Sequence, residues 1–124
     1  MVIKGAKVYT AAHTFETKDV AVADGRFAAQ ARDERVVNAD GLYMIPGLVD
    51  IHFHGCMGAD MCDGTEEALD VITKYEASIG VTSVCPATMT IAKDELLKVM
   101  QNAGAYRYKS GAHLVGINME GPFI

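Results

Sequence analysis

Hydrophobic positions along the chain change their rhythm near residue 45. Before it they come in short runs. Val2 to Thr10, Thr17 to Ala23 and Arg26 to Ala29 read as strands, with shorter pieces at Val36-Val37 and Leu42-Tyr43-Met44 around Asp40-Gly41. The Asp-Gly pair in Ala23-Asp24-Gly25-Arg26 favours a tight hairpin. Turn signals about every eight to twelve residues predict a small β-rich, β-sandwich-like subdomain over 1–45.

From Pro46 onward strands and helices alternate. Leu48 to His54 reads as a strand, punctuated by Pro46-Gly47 before it and Gly55 after it. Thr65 is placed to cap a helix whose first turn carries Glu66 and Glu67, and Gly80 stops it. The inward positions of that helix are read as Ala68, Leu69, Ile72, Tyr75, Glu76 and Ile79. Val81 to Cys85 follows as a strand closed by Pro86. A second helix is predicted from about Ala92 to Ala103, with Leu96, Leu97 and Met100 inward and Gly104 beyond its end. Leu114 to Glu120 is the third strand. Apolar strands joined by helices argue for parallel βαβ units.

The fold class expected is therefore α/β, a small β subdomain leading into the first three βα units of a (β/α)₈ barrel over 46–124. A closed barrel takes eight units and about 250 residues, so these residues are read as the leading part of a larger fold. An uncovered third strand is an assembly liability, and a homo-oligomer is expected, with another copy or a crystal neighbour covering that strand.

Composition narrows the function classes. The 124 residues are 50% hydrophobic and 22% charged, with net charge −5, and give no reason to expect nucleic acid or an anionic membrane as partner. No apolar run approaches the ~20 residues needed to span a bilayer, and Met1-Val2-Ile3-Lys4-Gly5 lacks a signal-peptide core. Three cysteines form no disulfide pattern. A reduced, cytoplasmic setting is expected.

Candidate chemistry lies in Asp50-Ile51-His52-Phe53-His54-Gly55. In a strand, residues i and i+2 share a face, so His52 and His54 emerge together and supply half of a divalent-metal site. Gly116, Asn118 and Glu120 share a face of the third strand, and Glu120 ends it on the side where α/β folds place their sites. A carboxylate beside a His-x-His pair can complete or bridge such a site. The metal ligands expected are His52, His54 and Glu120.

Other residues have plainer readings. Cys56, Met57 and Cys62 match no zinc spacing and are read as packing residues. Asp60 and Asp63 are loop acids or a helix cap. His113 alternates away from Glu120 and is read as a rim residue. His13 is read as a surface residue, left open because such subdomains contribute to a neighbouring subunit's site in some barrel enzymes. Asp50 either orients the turn or a ligand, or has a structural role in the strand.

The run Ile45 to Gly55 resembles the first barrel strand of the amidohydrolase superfamily. With Gly55-Cys56-Met57-Gly58, Gly80-Val81-Thr82-Ser83 through Pro86-Ala87-Thr88, and Gly116-Ile117-Asn118-Met119-Glu120-Gly121-Pro122-Phe123, the chain resembles the N-acetylglucosamine-6-phosphate deacetylase family over about the first third of that family's length. The resemblance implies hydrolysis of N-acetylglucosamine 6-phosphate to glucosamine 6-phosphate and acetate. It matches Glu120 to the family's metal-bound glutamate, and His52 and His54 to the pair that binds a further metal in two-metal members. One or two divalent ions, zinc or iron, are implied for the full-length protein. They would polarise the amide carbonyl and activate a bound water. The family's acid–base aspartate and further metal-binding histidines lie on later strands, so no catalytic residue is assigned here and the 124-residue chain is expected to be inactive alone. The alternatives are another amidohydrolase, a cyclic amidase or deaminase, and a non-catalytic fragment. Dihydroorotase-like members usually carry an arginine-bearing loop where Gly55-Cys56-Met57-Gly58 stands.

Overall fold

A computed structural model describes residues 1–123, which fall into two units, Met1–Pro46 and a second that begins at Gly47. The first is one five-stranded sheet. Strand β1 (Val2–Tyr9) pairs antiparallel with β2 (Phe15–Ala23), which pairs with β3 (Arg26–Ala28). On its other side β1 pairs in parallel with β4 (Val36–Asn38) and β5 (Tyr43–Met44). The β2–β3 turn has positive φ at Asp24 (53°) and Gly25 (71°), the primed geometry that suits the twist of a hairpin. Within this unit only alanines, Ala6 and Ala39, are buried among the hydrophobic residues, while Phe27 is 76% exposed. The sheet is held by its ladder more than by a core of its own.

The second unit is built on β6 (Leu48–Asp50), α1 (Glu66–Ser78), β9 (Val81–Val84), α2 (Lys93–Ala105) and β10 (His113–Leu114). The three strands are parallel in the order β10-β9-β6, each joined to the next by a helix. Between β6 and α1 lies a hairpin of β7 (Gly55–Cys56) and β8 (Ala59–Asp60), followed by a 3-10 turn at Met61–Asp63. Among the described residues no helix is long and apolar enough to cross a membrane.

Helix α1 begins as its sequence directs: the Thr65 side chain accepts the Ala68 N–H at 3.2 Å. It buries Ala68, Leu69, Ile72, Thr73 and Glu76. Tyr75 and Ile79, read as inward, are 37% and 55% exposed, and Thr73 takes the inward position instead. Helix α2 buries Leu96, Val99 and Ala103, a spacing that leaves Leu97 (53% exposed) and Met100 (36%) pointing away. It also runs on through Gly104 to Ala105, past the expected stop. Met61, Leu69, Val99 and Ala103 form one core cluster; Val81, Val84 and Ala112 form another beneath Phe53 and Leu114.

The strand limits need correction at the site. Regular pairing in the first strand stops at Asp50 rather than His54, because the Asp50 carboxylate accepts the His52 N–H at 3.0 Å and turns the chain locally. The third strand is regular only at His113–Leu114. Beyond Leu114 the neighbouring segment reaches Pro86, which accepts the Asn118 N–H at 3.0 Å but has no N–H to return. Past that gap the pairing resumes as a single parallel bridge, Ala87 to Asn118.

Glu76 is 5% exposed, and burial, reinforced by the Asp50 charge, pushes its carboxyl above the usual value of 4.5. An acid raised in the folded state leaves folding most favoured below its unfolded pKa, and stability drops as pH rises through the folded value. Glu76→Gln removes that loss. The expected result is a melting temperature that gains on wild type as pH increases from about 4 to about 7; a difference independent of pH would show that Glu76 does not titrate this way.

Candidate metal centre

The three expected ligands come together. His52 Nε2 lies 3.0 Å and His54 Nε2 3.6 Å from the same oxygen, Glu120 Oε1. One ligand atom from each residue falls within 4.8 Å of the others. The imidazoles stand perpendicular with centroids 5.6 Å apart. His52 is exposed, whereas His54 and Glu120 are half-buried. Two ring nitrogens and a carboxylate turned toward one point suit a divalent ion of the zinc or iron type, so the donor set fits the metal implied by the sequence.

Glu120 reaches His52 although β9 lies between their strands. At this level the middle strand offers Ala87, small and fully buried, whose N–H donates to Phe53 O at 2.7 Å on one side and which bridges Asn118 on the other. The segment after β9 then grips the glutamate backbone. Thr88 Oγ1 accepts the Glu120 N–H at 3.3 Å, and Thr90 Oγ1 donates to the Glu120 carbonyl at 2.9 Å. Thr88 is fully buried.

Asn118 was read from sequence only as part of a polar face. Its Nδ2 lies 3.0 Å from Ile51 O and 3.1 Å from His52 Nδ1, so it holds the ring from behind. Neither this contact nor the grip of Thr88 and Thr90 has a local sequence signal. Both depend on which residues the strand order brings together. His54 has no such support: its Nδ1 is buried without a partner among the described residues.

The remaining candidates stand apart from the cluster. Asp60 and Asp63 form a capping box on the 3-10 turn, with Asp60 Oδ1 accepting the Cys62 N–H and Asp63 Oδ2 accepting the Asp60 N–H. The three cysteines are free, and burial raises the Cys56 and Cys62 thiols. His113 stacks on Tyr108 at 4.0 Å, and His13 accepts or donates at Nδ1 to the Tyr9 hydroxyl at 2.8 Å.

No family model matches the chain. An N-acetylglucosamine-6-phosphate deacetylase of Bacillus subtilis is 28% identical, aligned over 100% of this chain and 34% of its own length. An N-acetylgalactosamine-6-phosphate deacetylase of Escherichia coli O157:H7 is 26% identical over 98% of this chain and 33% of its own. The crystal structure of N-acetylglucosamine-6-phosphate deacetylase from Pasteurella multocida superposes with a TM-score of 0.85 at 22% identity, covering 99% of this chain and 34% of that one, which shows a shared fold. The chain is thus similar along its whole length to N-acetylglucosamine-6-phosphate deacetylases and spans about a third of theirs.

Proposed function

We propose that this chain carries the opening βα units of a (β/α)₈ amidohydrolase barrel and supplies three metal ligands to a deacetylase acting on N-acetylglucosamine 6-phosphate. What supports the reading is the meeting of both histidine Nε2 atoms with one oxygen of Glu120, in a chain whose relatives carry that name. His52, His54 and Glu120 would hold zinc or iron. Bound there, the ion would polarise the acetamide carbonyl and acidify a coordinated water. The protein's part is placement: Thr88 and Thr90 fix Glu120, Asp50 fixes the turn before His52, and Asn118 steadies its ring.

The site is incompletely braced, since His54 Nδ1 has no partner among the described residues, and ligating histidines bind best when the outer nitrogen is held. Weak zinc binding by the 124-residue chain is therefore expected, detectable by calorimetric titration and lost in His52→Ala. The acid–base aspartate expected from the family has no match in these residues, so the purified chain should release no acetate from N-acetylglucosamine 6-phosphate with zinc present. Acetate release would overturn that part of the reading. The protein expressed from the complete reading frame should release acetate, and assaying it against N-acetylgalactosamine 6-phosphate as well decides between the two sugars that the relatives' names offer. Failure on both would overturn the proposed activity.

A further inference from the structure

We infer that Cys62 is a positioning residue for Glu120, its sulfur holding the segment that in turn holds the glutamate backbone; its bearing on the metal rests on the reading just proposed. Read from sequence as a packing residue, Cys62 makes a directed contact: its Sγ accepts the Met89 N–H at 3.2 Å. Oxygen acceptors sit about 2.7–3.2 Å from an amide nitrogen, so for the larger sulfur atom this is a close approach. Cys62 is itself firmly seated. Its own N–H donates to Asp60 Oδ1 at 2.7 Å, and the Met61 N–H beside it donates to His54 O at 2.8 Å.

A side-chain acceptor is needed there because strand pairing has run out. Three successive amides leave the segment after β9 for three neighbours. Ala87 donates to Phe53 O at 2.7 Å and Thr88 to Asn118 O at 3.0 Å. In an extended chain alternate amides point to the same side, so Met89 turns back toward the chain that held Ala87. That chain has already bent into the β7–β8 hairpin at Gly55, and the 3-10 turn after the hairpin brings Cys62 to Met89. Thr88 and Thr90 flank Met89, and their hydroxyls hold the Glu120 N–H at 3.3 Å and its carbonyl at 2.9 Å. Gly121 lets the two segments close up, since a β-carbon there would stand 3.0 Å from Thr90 Cα. A shift of Met89 would carry both threonines with it. One thiol thereby joins the turn that anchors His54 to the segment that places Glu120.

The test contrasts Cys62→Ala, which has no acceptor, with Cys62→Ser, which is little larger than alanine and keeps one. In the metal-free chain Cys62→Ala should speed amide hydrogen exchange at Met89 and Glu120 about fivefold, the loss expected from one hydrogen bond. Cys62→Ser should restore most of that protection, and amides in the middle of α1 should not change in either variant. Cobalt(II) then probes the donor set, because its visible absorption follows coordination geometry. Cys62→Ala should weaken cobalt binding about tenfold and alter the band shape, with Cys62→Ser close to wild type in both. Unchanged exchange at Glu120 in Cys62→Ala, equal losses in the two variants, an acceleration shared by α1, or cobalt affinity and spectrum identical to wild type would each overturn the inference. If cobalt fails to bind even wild type, the metal reading falls, and exchange at Glu120 still decides whether Cys62 positions it.

Discussion

Glu120→Gln should abolish zinc-dependent stabilisation of the chain while leaving its metal-free fold intact. Glutamine has the same shape and keeps an oxygen acceptor. The backbone contacts that place residue 120, to Thr88 Oγ1 and Thr90 Oγ1, do not involve its side chain. What is lost is the charge. The cluster holds two imidazoles and a single carboxylate, so the substitution removes the only anionic donor from a site for a divalent cation. Losing an outer hydrogen-bond partner of a metal ligand costs roughly 10- to 100-fold in affinity, and losing the negative charge of an inner ligand should cost at least the upper figure. A ligand that binds only the folded state raises stability by RT ln(1 + L/Kd), with L its free concentration, a gain that keeps growing as ligand is added. Wild type should therefore melt at progressively higher temperature as zinc is added, and Glu120→Gln should not respond over the same range. A variant that followed the wild-type curve would remove Glu120 from the site and with it the deacetylase reading of this cluster.

That cluster was legible in the sequence to a notable depth, for a reason that can be stated. His52 and His54 are two residues apart, and Glu120 is read from sequence as ending a parallel strand, which ties three positions to one side of one sheet; the regular strands stop short of all three, yet the cluster forms. The Asp50 turn altered the route but kept both rings on Glu120. Helix α1 was equally readable, because its cap at Thr65 and its acidic first turn are local signals.

Long-range features were not readable in this way. Asn118 meets His52 across 66 positions of sequence, and Thr88 meets Glu120 across 32; both contacts exist only once the strands are ordered. In α2 the apolar residues outnumber those the core can take, and periodicity alone did not separate Val99, which is buried, from Leu97, which is not. From sequence the first strand ends at Gly55 and Asp60 is placed among loop acids or a helix cap, without the β7–β8 hairpin. Its turn uses positive φ at Met57 (54°) and Gly58 (79°), and a methionine in that position gives little warning of a primed turn.

That hairpin carries the other large expected effect: Gly55→Ala should destabilise the chain by about 3 kcal/mol or more, in the range of severe core overpacking. A β-carbon on Gly55 would stand 2.0 Å from Ala59 O and 2.7 Å from Asp60 Cα. Both are backbone atoms of the facing strand, so no side-chain rotation relieves the clash. The two strands must part, and Gly55 pairs directly with Asp60. Asp60 also caps the 3-10 turn whose first residue, Met61, is 2% exposed in the core and donates its N–H to His54 O at 2.8 Å. One methyl group thus strains the hairpin, the cap, a buried side chain and the backbone of a candidate ligand together. Gly58→Ala is the informative control. Gly58 has φ 79° but nothing within 4 Å of its added carbon, so its penalty is conformational only, about 1 kcal/mol. Urea unfolding should rank wild type above Gly58→Ala and Gly58→Ala well above Gly55→Ala. If Gly55→Ala unfolded within about 1 kcal/mol of wild type, the close approach of β7 and β8 would not exist in solution, and the placement of His54 beside Glu120 would lose its support.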